Sequence, residues 1–86
     1  MSKRIEKIKI TAEDENWEVV VDRPEDYFLR ITNHEFTADI YYSKKQVVRL
    51  KYRTGENKYL YYMSDEKIEK MLKNPWDFYK EVSYMV

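Results

Sequence analysis

The chain has 86 residues, which suffices for one domain with its own core and is too short for two. Its 16 Lys and Arg residues balance its 16 Asp and Glu residues, so the overall charge excludes a general attraction to nucleic acid or to an anionic membrane. The lack of cysteine excludes disulfides, thiolate metal sites and a thiol nucleophile. Any electrostatic attraction to a partner must therefore be local.

The N-terminal segment MSKRIEKIKI alternates charged residues with isoleucine and lacks the continuous apolar run of a signal peptide. No apolar stretch elsewhere approaches the ~18 residues that a membrane-spanning helix needs. We therefore expect a cytoplasmic protein that folds as a single domain over residues 1–86.

The first two predicted elements are the strands of a hairpin. Apolar residues alternate with polar ones over 7–12 and again over 17–22, on either side of the acidic turn EDEN. A period of two is typical of half-buried strands. The residues predicted to face the core are Ile8, Ile10, Ala12, Trp17, Val19 and Val21.

The next segment, RPEDYFLRI at 23–31, favours a strand and a short helix about equally. Leu29 and Ile31 continue the alternation of a strand, whereas Pro24 followed by two acidic residues is typical of a helix start. Both alternatives stay open at this point.

Two central strands follow, over 36–42 and 47–53, and a tyrosine-rich strand comes after them. Short connections at SKK and TGEN favour antiparallel pairing between these strands. The alternation predicts that one face of the two central strands lies in the core; it carries Phe36, Ala38, Ile40, Tyr42, Val48, Leu50 and Tyr52.

The last quarter changes to a helical period. Ser64 can cap a helix that ends near Asn74, because the residue before Pro75 is driven out of the helical region. Pro75 then opens a second helix. We predict an α+β domain: an antiparallel, twisted sheet of about five strands with two short C-terminal helices packed on one face. The remaining predicted core residues are Met63, Met71, Met85 and Trp76.

Patterns for catalysis and metal binding are missing from the sequence. The single histidine, His34, lies in a polar turn without a second ligand at a metal-binding spacing. The acidic residues cluster in turns, where they are usually solvated. We assign no catalytic residue, metal or cofactor, and we expect a protein that is not an enzyme.

The hairpin VVRLKYRTGENKYLYYM, residues 47–63, combines four basic residues with four tyrosines and the only glycine. If Leu50 faces the core, Arg49, Lys51 and Arg53 project from the other side at steps of roughly 7 Å. Cations among aromatic rings suit single-stranded nucleic acid or a nucleotide, and the same pattern is also typical of a solvated sheet face. The candidate ligand-binding residues are Lys44, Lys45, Arg49, Lys51, Arg53, Lys58, Tyr59 and Tyr61.

The order FTADIYY, VVRLKY, a TG turn, KYLYYM, the helix SDEKIEKMLK and the segment WDFYKEV resembles the KTSC domain, a small β-β-β-α module. The matching residues are Ile40, Tyr42, Leu50, Tyr52, Gly55, Tyr59, Tyr61, Phe78 and Val82. The family's cysteine is absent, and its lysine after the closing helix falls on Ser83. The resemblance implies the fold of about the last 50 residues and a role near RNA or other nucleic acid.

Two functions of different classes fit these residues. The first is a non-enzymatic binding module that presents the basic, tyrosine-rich hairpin to RNA, single-stranded DNA or a nucleotide. The alternative is an inhibitor of the kind found in phages and mobile elements, including anti-CRISPR-like proteins, which docks on a host protein through tyrosines.

Overall fold

Five strands in chain order form one antiparallel sheet, and each strand pairs with the next along the chain. The computed structural model describes residues 3–43 and 45–82. The elements are α1 (Lys3–Asp14), β1 (Glu18–Arg23), β2 (Phe28–Thr32), β3 (Phe36–Tyr41), β4 (Val47–Tyr52), β5 (Asn57–Leu60), α2 (Asp65–Lys73) and α3 (Pro75–Val82). The α+β class, the five antiparallel strands and the two C-terminal helices are confirmed.

The predicted first hairpin is wrong, because residues 3–14 form helix α1. Ile5, Ile8 and Ala12 recur at helical spacing and are buried, whereas Ile10 is 59% exposed. The segment also alternates with a period of two, so the two periods compete over this short stretch. Ile5 supports only the helical one.

A β-bulge in β1 corrects a second expectation. The pairing runs from Val19 opposite Ile31 directly to Val21 opposite Arg30, which leaves Val20 outside the register and 53% exposed. Val21 therefore lies on the opposite face of the sheet from Val19, not on the same face.

Trp17, just before β1, is buried as predicted, with 3% of its surface exposed. Its indole Nε1 donates a hydrogen bond of 2.9 Å to the carbonyl oxygen of Leu72. This bond ties the start of the sheet to the end of α2 and satisfies the only polar atom of the buried ring.

Residues 23–31 contain both predicted alternatives, a short helix followed by a strand. Pro24–Asp26 forms one turn of 3-10 helix, and Tyr27 then adopts a left-handed conformation with φ of 52°. β2 begins at the next residue. The left-handed residue redirects the chain from the helical turn into the strand.

The central strands keep the predicted faces. The residues predicted to face the core from β3, β4 and the position after β3 are buried, and Tyr52 packs against them. Met63 and Met71 are buried as predicted, whereas Trp76 is 36% exposed and lies at the rim of the core against the rings of Phe36 and Tyr52. Met85 lies outside the described residues.

Helix α2 begins and ends, and helix α3 begins, where the sequence predicts. The hydroxyl of Ser64 accepts a hydrogen bond of 3.1 Å from the backbone nitrogen of Lys67, which satisfies one of the free amides of α2. α2 is capped at its other end by Asn74, and α3 begins with Pro75.

All three helices pack on one face of the sheet. Residues of α1 and α2 belong to the same buried cluster as the inward residues of β2, β3 and β4, and Phe78 and Tyr79 of α3 pack against it. In the described part of the chain no helix covers the opposite face, which we call the outer face. None of the described helices combines the length and apolar character needed to cross a membrane.

The face assignment of β4 can be tested by a pair of neighbouring substitutions. Leu50→Ala should lower the free energy of unfolding by ~2 to 5 kcal/mol, because it removes a fully buried side chain. Lys51→Ala, on the exposed outer face, should change it by no more than ~0.5 kcal/mol. Urea unfolding of the two variants measures both values, and equal effects would contradict the observed register.

Tyr42 provides a second stability test. Its hydroxyl is buried and has no hydrogen-bond partner among the described residues. Burial, reinforced by the negative charge of Asp22, raises the pKa of Tyr42 above its ordinary value of 10.0. At neutral pH, Tyr42→Phe should be as stable as the parent protein within ~1 kcal/mol, or more stable, because it removes an unsatisfied buried group.

The raised pKa fixes the sign of the pH dependence. The neutral phenol is favoured in the folded state, so its contribution to stability is fully present below about pH 10 and is lost as the pH rises through the folded-state pKa. The free energy of unfolding should therefore fall more steeply with rising alkaline pH in the parent protein than in Tyr42→Phe. Measuring it for both proteins at neutral and alkaline pH tests this. A variant clearly less stable at neutral pH would indicate that the hydroxyl is bonded.

Candidate functional site

Three rows of side chains cross the outer face perpendicular to the strands. Successive rows are two residues, or about 7 Å, apart along the strands, except in β1, where the bulge sets Glu18 and Val21 three residues apart. The polar row consists of Glu18, Thr32, Thr37, Lys51 and Asn57. The central row consists of Val21, Arg30, Asp39, Arg49 and Tyr59. The aromatic row consists of Arg23, Phe28, Tyr41 and Val47.

The central row is organised around the carboxylate of Asp39, which is only 2% exposed although it lies on the outer face. Arg30 donates from Nε to Oδ1 at 2.7 Å and from Nη2 to Oδ2 at 3.2 Å. Arg49 donates from Nη2 to Oδ2 from the other side. A buried carboxylate is stable only when it is paired and hydrogen-bonded, and the two guanidiniums meet that requirement.

The hydrogen bonds to Asp39 raise the pKa of both arginines above the ordinary value of the side chain. For Arg49 a further contribution comes from the side chain of Tyr59, its cross-strand neighbour. The three charged groups together leave one net positive charge in the middle of the face. Each guanidinium is held in place, with only part of its hydrogen-bonding capacity used.

A depression of about 400 Å³ lies between the central and polar rows. It is lined by Arg30, Thr37, Asp39, Arg49, Lys51, Arg53 and Asn57. Four of these side chains are cationic and one is a carboxylate, so the depression is strongly positive in a chain with no net charge. The guanidinium of Arg53 also lies 5.6 Å from the centre of the Tyr52 ring. The structure thus brings together the three cations that the alternation of β4 predicts.

The predicted tyrosines lie at the β5 side of this depression. Tyr59 belongs to the central row, and Tyr61 follows directly after β5. Their side chains are 45% and 62% exposed. The two rings stack at a centroid distance of 6.4 Å and an interplanar angle of 21°. The pair thus places exposed aromatic rings beside the cations.

Lys58 does not belong to this group, and its expected position on the same face is wrong. It pairs with Leu50, and its side chain is 12% exposed on the helical side of the sheet. There its ammonium contacts Glu56 at 3.2 Å and lies 5.6 Å from the centre of the Tyr79 ring. Lys45 is exposed in the connection between β3 and β4, and Lys44 lies outside the described residues.

Sequence reasoning missed Phe28, Arg30 and Tyr41 as site residues. Phe28 and Tyr41 are cross-strand neighbours with ring centroids 5.1 Å apart, and Arg30 lies 5.6 Å from the centre of the Phe28 ring. The signal was present, because Phe28 and Arg30 alternate with the apolar Leu29 and Ile31. It could be used only once 28–32 was known to be a strand.

The described residues contain no group of three or more His, Asp or Glu side chains placed to hold a metal ion. His34 is exposed in the turn between β2 and β3.

Comparisons of the chain with protein-family models, with curated proteins and with solved structures gave no match. The resemblance to the KTSC domain accordingly stays a prediction. Function has to be argued from the outer face itself.

The central row can be tested by Asp39→Asn. We expect a loss of ~1.5 to 3 kcal/mol in the free energy of unfolding, because the change removes the charge that both arginines bind. The loss should stay below the ~3 to 5 kcal/mol of a fully buried pair, since the side chains of Arg30 and Arg49 are 38% and 31% exposed.

The matched control is Asp22→Asn. Asp22 forms an ion pair of 2.7 Å with Lys9 and has a side chain 35% exposed. Such exposed pairs contribute ~1 kcal/mol or less. Urea unfolding of the two variants should therefore separate them clearly, and equal losses would show that Asp39 has no special structural role.

Proposed function

We propose that the protein is a non-enzymatic binding module whose outer face binds single-stranded nucleic acid, RNA or DNA. The observation that carries this proposal is the positive depression, which is lined by four cations and one carboxylate and lies beside stacked, exposed tyrosine rings. A cytoplasmic location and the implied link of the KTSC domain to nucleic acid belong to the same proposal.

The charges of the depression suit a phosphate backbone. Arg30 and Arg49 already share Asp39, so their pairing leaves part of each guanidinium for a second anion. Lys51 and Arg53 are exposed, and neither forms an ion pair with a described residue. Phosphates placed there would release condensed counterions, which is the main source of affinity in sequence-independent binding.

The aromatic rings suit unpaired bases. Bases of single strands are splayed out and stack on aromatic side chains, and an open sheet offers a flat platform for them. The distance from β2 to β5 is about 14 Å, or three strand spacings. A short single strand that crosses the sheet fits this span. A duplex fits less well, because its bases are already stacked on one another and cannot stack on the rings.

Docking on a host protein is the second candidate. It is supported by three tyrosines in sequence proximity, Tyr59, Tyr61 and Tyr62, which are 45%, 62% and 71% exposed. Tyrosine is enriched in the centres of protein interfaces because it buries a large area at a small entropic cost. The positive depression favours the nucleic-acid proposal, because binding to a protein through tyrosines does not require a cluster of cations beside them.

The proposal predicts a salt-dependent affinity that depends on Lys51 and Arg53. Replacing both with Gln should weaken binding of a labelled single-stranded oligonucleotide. It should also lower the slope of log affinity against log salt by about 1.4, since each phosphate contact contributes ~0.7. Fluorescence anisotropy at several salt concentrations measures both quantities. Arg49 is left unchanged because its loss would also disturb Asp39.

The matched control replaces Lys67 and Lys70 with Gln. Both are exposed on α2, on the helical side of the sheet, and the change removes the same charge. The control should bind like the parent protein. If both double variants lose affinity equally, the attraction is non-specific. If the parent protein binds no oligonucleotide at low salt, the nucleic-acid proposal fails and docking on a protein becomes the better account.

A further inference from the structure

A second depression lies on the other side of the central row, next to the aromatic row. It has a volume of about 350 Å³ and is lined by Val21, Arg23, Asp26, Phe28, Arg30 and Tyr41. Arg30 lines this depression as well as the positive one. The Asp39 network therefore divides the outer face into a cationic side and an aromatic side.

The side chains on the aromatic side of the outer face do not take part in the hydrophobic core. Phe28 and Tyr41 point away from the buried cluster, and Tyr41 is 36% exposed. Their rings meet at a centroid distance of 5.1 Å and an interplanar angle of 47°. Val21 reaches the same place only because the bulge in β1 turns it outward. Three apolar side chains on a solvent-facing surface, gathered around one depression, call for a ligand with an apolar face.

Arg30 is fixed at the boundary between the two sides. Its guanidinium is hydrogen-bonded to Asp39 and lies 5.6 Å from the centre of the Phe28 ring. One flank of the second depression is thus a positioned cation beside an aromatic ring, a combination that binds nucleobases by stacking and by cation–π attraction.

The rim adds polar groups that suit the edge of a base. Asp26 supplies a carboxylate, and Arg23 supplies a guanidinium. A nucleobase carries both hydrogen-bond donors and acceptors on its edge, so it can use both groups while its face lies on the rings. Purely apolar ligands would leave these charges unused.

From these observations we infer that the second depression is a nucleobase subsite. One base of the bound strand stacks on the Phe28–Tyr41 ring pair, and its phosphate lies across Arg30, toward Lys51 and Arg53. This inference rests on the proposed function and gives the outer face a direction: the backbone follows the cations between the central and polar rows, and the bases extend toward the aromatic row.

The test compares two oligonucleotides of equal length and charge, one with all its bases and one abasic, against the parent protein. The intact strand should bind at least about 5- to 150-fold more tightly, because each stacked base contributes a factor of that size and the abasic strand has none. Tyr41→Leu, which keeps an apolar side chain and loses the ring, should narrow this ratio without changing the salt slope. Tyr41→Phe, which keeps the ring, should preserve the ratio.

Two further variants locate the effect. Tyr27→Leu changes an exposed tyrosine that contacts Tyr42, on the helical side of the sheet, and should leave the ratio unchanged. Tyr59→Leu changes the other aromatic surface. If Tyr59→Leu abolishes the ratio and Tyr41→Leu does not alter it, the bases lie on the β5 side and the inferred subsite is wrong. Urea unfolding of each variant confirms that the comparison is made on folded protein.

The remaining outcomes separate this inference from the function on which it rests. Equal binding of the intact and abasic strands, with the expected loss in the Lys51 and Arg53 variant, would overturn the base subsite and leave a phosphate-binding surface. Lack of binding of either strand at low salt would overturn the proposed function and the inference together.

Discussion

The buried carboxylate of Asp39 is the constraint on which the outer face depends. It lies in the middle strand of the sheet, and its two partners come from the strands on either side. Without the arginines the carboxylate would be buried and unpaired, and without the carboxylate two like charges would face each other across β3. A slip of one residue between these strands would turn Asp39 toward the apolar core. The ion pairs therefore help to fix the register of β2, β3 and β4.

The same network determines how charge is distributed over the surface. By compensating one of the two guanidiniums, Asp39 leaves one net positive charge at the centre of the face, whereas the charges of Lys51 and Arg53 have no ion-pair partner among the described residues. It also separates these cations from the rings of Phe28 and Tyr41. A chain with no net charge thus carries an asymmetric face, with one side suited to anions and the other to flat apolar groups.

Much of the fold could be predicted from local pattern. The alternation in β3 and β4, the cap at Ser64 and the helix boundary at Pro75 are local signals, and each was read correctly. The first segment was not, because its isoleucines fit a strand and a helix, and the burial of Ile5 decides between them. The bulge that turns Val21 outward leaves no comparable local signal in the sequence.

The candidate site was only partly predictable for a related reason. Arg49, Lys51 and Arg53 follow from the alternation of a single strand. The association of Arg30 with Asp39 depends on the register between two strands, as does the contact between Phe28 and Tyr41. The position of Lys58 depends on whether β5 presents its odd or its even residues to the outer face. The register depends on the pairing of all the strands, so the pattern within a single strand does not predict which residues of neighbouring strands meet.

The bulge in β1 has a consequence for self-association. β1 is an edge strand, and its unpaired amides and carbonyls could template the addition of another chain. The extra residue at Val20 interrupts that row of groups and twists the edge, while Glu18, Asp22 and Arg23 place charges along it. The opposite edge, β5, has only four residues. Both edges are thus poor templates for fibril growth, and the open sheet can expose its outer face to a partner while remaining resistant to stacking edge to edge with its own copies.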